Sequence, residues 1–256
     1  MKYKVSAVNY LNSKPFIYGL ENSEVKNEIE LQLDIPSICA EKLEEDKVDI
    51  GLVPVAIIPE LEEYHIISQY CIGADGEVGS VLLFSEVPLN EIKTILLDNQ
   101  SRSSVMLVQV LAEKFWKIKP HWKDASDHYE TRISGVTAGV VIGDRTFALK
   151  NKFGYVYDLS SEWKKFTQLP FVFACWVANK KLPADFIQRM NDAFAFGLNR
   201  KEEVIREYKE QYPMLDIKDY FENKISFDFD DKKKKSLKLF LGYVNELMES
   251  DLLKIV

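Results

Sequence analysis

The chain has 256 residues, enough for one large domain or two small ones, and its 46% hydrophobic and 29% charged residues are ordinary for a globular protein. A net charge of −7 and a pI near 5.2 argue against nucleic acid as the main partner, so any anionic ligand has to be held by local dipoles. Cys39, Cys71 and Cys175 stand far apart without a C-x-x-C, and His65, His121 and His128 lack helical metal spacing. Neither a metal nor a redox centre is expected, and the thiols are expected in the core.

No apolar run approaches the roughly 18 residues of a membrane span. Met1-Lys2 leads into a strand-like stretch with neither an apolar signal region nor a cleavage site, so a cytoplasmic protein with no membrane partner is expected.

Residues 4–7 read as the first strand. Asn9, Asn12 and Ser13 then crowd the turn before Pro15 (VNYLNSKPFI, 8–17). Such residues cap helices, and proline suits a first helical turn; uncommitted amides at that place also suit a ligand. Residues 29–35 (IELQLDI) alternate with period 2 and predict a strand, and 36–45 predict a helix. A buried strand is expected over 48–55 (VDIGLVPV), an apolar stretch over 56–61, and further strands over 64–72 and 78–84.

Pro88-Leu89-Asn90 punctuates the chain, and a second set of elements begins at 94–97. Val105, Val108, Leu111 and Phe115 share one face of a helix predicted over 101–116. The run 139–143 (GVVIG) reads as a buried strand ending at Asp144-Arg145-Thr146, and 171–178 (FVFACWVA) as a long apolar strand. Beyond Pro183 the pattern is helical, with Met190, Phe194 and Leu198 as a core stripe. The lysine run within 228–238 (DFDDKKKKSLK) reads as a solvated helix start with acids at its positive end.

Alternating strands and helices predict an α/β protein with mostly parallel sheets covered on both faces. Two such sets imply two small lobes: residues 1–85 plus 175–256, with the C-terminal helices returning to the first lobe, and residues 86–174. Strands near 82–87 and 171–177 are expected to carry the chain across, with the ligand in the cleft between lobes.

Four turns gather small polar groups: Asn12-Ser13, Gly79-Ser80, the run 98–104 (DNQSRSS), and Gly143-Asp144-Arg145-Thr146. The third opens the predicted helix, whose unpaired N–H groups and partial positive charge can seat a carboxylate. One serine suffices as a cap, yet Ser101, Ser103 and Ser104 are all present, and Arg102 either meets an anion or pairs structurally. There is no Ser/His/Asp arrangement or phosphate loop, and Gly73-Ala74-Asp75-Gly76 lacks dinucleotide spacing. Chemistry would have to come from orientation and polar groups.

N-Y-L-N-S-K-P (9–15), D-N-Q-S-R-S-S-V (98–105) and V-I-G-D-R-T (141–146), in order along nearly the whole chain, resemble the menaquinone-biosynthesis family of the futalosine route. The resemblance implies the two-lobed type II periplasmic-binding-protein fold. It also implies a carbon–oxygen lyase that dehydrates chorismate to 3-[(1-carboxyvinyl)oxy]benzoate without a cofactor. The substrate's own enolpyruvyl carboxylate would serve as base. Asn12 and Ser80 are then expected to act at the reacting atoms, and Ser101, Ser103, Ser104, Gly143 and Asp144 to bind substrate. The sister branch, which makes 1,4-dihydroxy-6-naphthoate, typically opens with a Pro-Asn-Asp turn and depends on a histidine. Leu11-Asn12-Ser13 and the absence of histidine from the four turns favour dehydration. Asn9 stands where a serine is expected, and Ser103 where threonine is frequent. The alternative class is a non-catalytic small-anion-binding or sensor protein of the same fold.

Overall fold

A computed structural model describes residues 2–125, 128–149 and 151–252. The chain forms two compact units, Met1–Gly73 with Val172–Asp230, and Ala74–Phe171 with Asp231–Val256. The first crossing comes about ten residues earlier than the sequence suggests, at the end of a strand rather than near 82–87.

In the first unit the elements run β1 (Tyr3–Val8), α1 (Lys14–Glu21), β2 (Ile29–Asp34), α2 (Pro36–Glu44), β3 (Ile50–Pro54) and β4 (His65–Ala74). The second unit holds β5 (Val81–Ser85), β6 (Thr94–Leu97), α3 (Arg102–Val110), β7 (His121–Asp124), β8 (Thr137–Ile142), β9 (Tyr155–Asp158) and α4 (Leu159–Thr167). The chain returns through β10 (Phe171–Ala178), α5 (Ala184–Leu198), α6 (Lys201–Tyr208), the single turn α7 (Ile217–Asp219) and β11 (Ser226–Asp228). It ends in α8 (Asp231–Leu252).

The sheet of the first unit has the order β11-β4-β10-β3-β1-β2. β1 is parallel to β2 and β3, whereas β10 is antiparallel to β3 and β11 to β4. Val5, Ser6, Ala7 and Val8 are all buried, as expected of a central strand covered on both faces. Helix α1 begins at Lys14 with Pro15 in its first turn, and Phe16 locks it down. The Phe16 ring meets Trp176 at 5.9 Å, Phe194 at 5.2 Å and Phe227 at 5.4 Å, all edge-on. Burying that ring stabilises the unit by about 1.5–3 kcal/mol. Gly19 and Gly197 let α1 and α5 touch: a Cβ on Gly197 would overlap the Pro15 carbonyl, and one on Gly19 the Ala193 carbonyl.

The second unit has the order β7-β6-β8-β5-β9. β6 runs parallel to β7 and β8, but β5 is antiparallel to both β8 and β9. Both sheets are therefore mixed, against the expected mostly parallel arrangement. In the first sheet β10, and in the second β5, run against the parallel core. Leu82, Phe84, Leu96, Tyr129, Ile133 and Val141 form a core cluster with Phe153 packed on it.

The C-terminal helix differs most from expectation. α8 belongs to the second unit, not the first. Its stripe of Lys233, Ser236, Leu237, Phe240 and Val244 is buried. Phe240 packs edge-on against Phe171 at 4.9 Å and Trp163 at 5.9 Å, and the Trp163 indole donates to Ser236 Oγ at 2.9 Å. The lysine run is solvated at Lys232, Lys234 and Lys235, whereas Lys233 faces inward. Strands β7, β9 and β11 escaped the pattern reading because each spans only three or four residues. The long helix expected over 101–116 is α3 continued by a π-helical stretch, Leu111–Trp116.

Candidate functional site

Strand direction in the second unit brings three of the four polar turns to one edge of its sheet. β6 and β8 both end there, at Leu97 and Ile142. β5 runs the opposite way and so begins there, with Val81 opposite Ile142. β9 ends at the same edge, with Asp158 opposite Leu82. The Gly79-Ser80 turn therefore precedes a strand, where the other two follow one.

Hydrogen bonds tie these turns together. The Gly143 N–H donates to the Ser80 carbonyl at 2.8 Å. Thr146 Oγ1 donates to the Gly143 carbonyl at 2.8 Å and approaches the Gly79 carbonyl at 3.3 Å. Gly79 and Gly143 have φ of +73° and +67°, which glycine adopts without strain. Asp158 Oδ2 accepts from the N–H groups of Val78 at 3.0 Å and Gly79 at 2.7 Å, while its Oδ1 caps α4 through Ser161 N–H at 3.0 Å. Burial pushes the Asp158 carboxyl above the usual range, and these N–H donors pull the other way.

The serine turn is built on Asp98, which is fully buried. Its Oδ1 accepts from Gln100 N–H at 3.0 Å; its Oδ2 accepts from Ile142 N–H at 3.1 Å, pairs with Arg145, and lies 2.9 Å from Tyr129 Oη, whose one proton is shared with the Val140 carbonyl. Arg145 also donates to Glu130 at 2.8 Å and to Gln100 Oε1 at 3.1 Å. Burial raises the Asp98 carboxyl, opposed chiefly by the Arg145 guanidinium; burial likewise drives the Tyr129 phenol far up. Ser101 is the α3 N-cap, its Oγ 3.4 Å from Ser104 N and 3.1 Å from Ser104 Oγ. Ser80, Ser101, Ser103 and Ser104 are all buried, and Asp144 is half-buried beside Gly143. The sequence motifs did not single out Asp98, Tyr129 or Asp158 for roles here. The local signal was confined to Asp98, an acid placed directly after the strand expected over 94–97.

Asn12 lies in the other unit, in a 3-10 turn (Leu11–Ser13) between β1 and α1. Ser13 turns inward, its hydroxyl on the Val8 carbonyl and at 2.8 Å from the Tyr10 carbonyl, so it serves the turn itself. Asn9 Oδ1 accepts from Lys14 Nζ at 2.5 Å, and that ammonium sits 5.0 Å from the centre of the Tyr208 ring. Lys14 is buried, a role the motif reading missed although a cation in a helix's first turn opposes the macrodipole and so calls for a reason. Asn12 differs from its neighbours: its side-chain oxygen is buried and makes no hydrogen bond. An unsatisfied buried acceptor costs about 1–3 kcal/mol, so it marks a place where a donor is expected.

The histidines lie elsewhere. His65 meets Glu63 at 2.7 Å, and His121 and His128 are exposed. Among the described residues no group of three or more His, Cys, Asp or Glu side chains is arranged to hold a metal ion. Cys39, Cys71 and Cys175 are buried and form no disulfide. No described helix is long and apolar enough to cross a membrane.

Two α/β units of this topology, with polar turns at strand ends, match the periplasmic-binding-protein architecture. Protein AF1704 of Archaeoglobus fulgidus superimposes with a TM-score of 0.73 over 98% of both chains at 14% identity. The Candida albicans CA3427 product, described as having the generic periplasmic binding protein structural fold, gives 0.59 over 98% of this chain and 95% of its own at 17% identity. At those identities the likeness defines the fold alone. The sequence goes further: the family model for menaquinone biosynthesis matches residues 3–246, and the chain belongs to that family. A curated relative, the chorismate dehydratase of Thermus thermophilus, is 29% identical over 164 residues. The match covers 54% of this chain and 58% of that relative, less than two thirds of its length.

Proposed function

We propose that this protein dehydrates chorismate to 3-[(1-carboxyvinyl)oxy]benzoate as a step of menaquinone biosynthesis. Family membership and the dehydratase relative support the reading. The observation that carries it is the buried, unpartnered Asn12 oxygen. Chorismate carries a single hydroxyl, on ring C4, and that hydroxyl is the donor such an acceptor would take.

The chemistry needs little more than orientation. The ring C3–H is acidified through the diene conjugated to the ring carboxylate. Its electron pair forms the C3–C4 double bond as the C4–O bond breaks, and the ring becomes aromatic. The enolpyruvyl carboxylate of the substrate takes the C3 proton and hands it to the departing hydroxyl, so that water leaves and atoms balance. The protein would bind a dianion in the reactive geometry. Asn12 orients the C4 hydroxyl, and Ser80 holds a leaving oxygen or a carboxylate. The first turn of α3, with Ser101, Ser103 and Ser104, and the Gly143-Asp144 turn seat carboxylate charge on N–H and hydroxyl donors. No histidine, metal or cofactor takes part in this scheme. Three buried thiols with no disulfide agree with a reducing, cytoplasmic setting.

The test is direct. Purified protein is mixed with chorismate, and the product is followed by ultraviolet absorbance and mass. Formation of the aromatic ether with loss of one water supports the reading; chorismate recovered unchanged overturns it in favour of a binding or sensor protein.

A further inference from the structure

We infer that Asp98 is a positioning residue for this site. It sets the serine turn and the Gly143 turn in register, although it is fully buried and touches no solvent. The inference rests on the proposed reading of those turns as the substrate seat.

A buried carboxylate is costly unless its lone pairs are filled. Gln100, Ile142 and Arg145, three of its donors, lie on segments that border the seat. Oδ1 takes the Gln100 N–H at 3.0 Å, two residues before α3 starts. Oδ2 takes the Ile142 N–H at 3.1 Å, one residue before Gly143, together with the Tyr129 hydroxyl at 2.9 Å and the Arg145 guanidinium. The chain of contacts continues from Gly143 N–H to the Ser80 carbonyl at 2.8 Å. A planar carboxylate fixes angles as well as distances, so the two turns cannot shift independently while it is in place. An apolar residue would bury as well but would leave both turns to find their own positions. Arg145 is held in turn by Glu130 and Gln100, which keeps the cation on Asp98.

The experiment uses Asp98→Asn in the full chain, with amide hydrogen exchange and chorismate kinetics read on the same preparation. The variant should lose protection at residues 100–104 and 142–146 together, while the strand interior at 83–84 is unchanged. Its KM should rise by about tenfold, the worth of a hydrogen bond to a charged group, with kcat nearly unchanged. A seat that grips carboxylate equally in ground and transition states acts on KM. Adding Arg145→Lys should cost little more, because both changes break one network. Tyr129→Phe, which removes one donor only, should move the same quantities less and guards against failure of Asp98→Asn to fold. Unchanged protection in either turn, or an unchanged KM in a folded variant, overturns the inference. If wild-type protein leaves chorismate untouched, the proposed function fails, and the exchange result alone decides for or against Asp98.

Discussion

The Asp158 carboxylate accepts the Gly79 backbone N–H at 2.7 Å across 79 residues of sequence, and with its other oxygen it caps α4 at Ser161. One side chain thus joins the turn that presents Ser80 to the helix after β9. Asp158→Ala should lower stability by about 2–3 kcal/mol, a lost cap plus unsatisfied N–H groups, as read by denaturant unfolding. The sign of its pH dependence also follows. Burial raises this carboxyl above 3.8 in the folded state, so the folded protein binds the proton more tightly than the unfolded chain. The contribution of Asp158 is then greatest below that value and declines as pH rises through the folded pKa. The advantage of wild type over Asp158→Asn should be larger near pH 3.5 than near pH 7; the reverse trend contradicts the burial argument.

Gly197→Ala places a methyl group against the Pro15 carbonyl where α5 meets α1. Overpacking against backbone costs about 1–3 kcal/mol. Because α1 follows directly on the Asn12 turn, turnover should fall along with the melting temperature. A variant with wild-type stability and activity would show that the two helices can separate freely.

The cysteines should be inert. Burial pushes the Cys39 thiol up to about 12, so at pH 8 only about one molecule in 10⁴ carries the reactive thiolate. Iodoacetamide at that pH should leave Cys39, Cys71 and Cys175 unmodified in the folded protein and label all three after unfolding. Rapid labelling of Cys39 in the native state would contradict its burial within α2.

Much of the fold was legible because the long elements carry their own periodicity. β1, β2 and β10 announce themselves by alternation or by apolar runs, and the two-lobed organisation follows from restarting alternation. What stayed hidden depends on partners distant in sequence. The three residues of β11 form a strand only because β4 offers an edge, and α8 joins the second unit because Trp163 and Phe171 receive Phe240. The same holds at the site. Ser101 and Asn12 were visible as turn chemistry beside a strand end. Asp98, Tyr129 and Lys14 acquire their roles through contacts with Ile142, Val140 and Tyr208, which no local pattern encodes.

The histidines supply a test of the branch within the family. Replacing His65, His121 or His128 one at a time by Asn should leave kcat within about twofold, as usual for surface changes remote from a site. Loss of turnover in any folded variant would revive the histidine-dependent sister reaction.

Asn12→Ala tests the central claim most directly, because it removes the one buried side-chain oxygen of the first turn that lacks a partner. Steady-state dehydration of chorismate and thermal unfolding are measured side by side. Loss of an oriented polar group in the transition state commonly costs about 2.7–4 kcal/mol, or 10²–10³ in rate. The kcat should fall by about that factor while the melting temperature does not drop. Normal turnover accompanied by about 1 kcal/mol of lost stability, the signature of a mere cap, would contradict it.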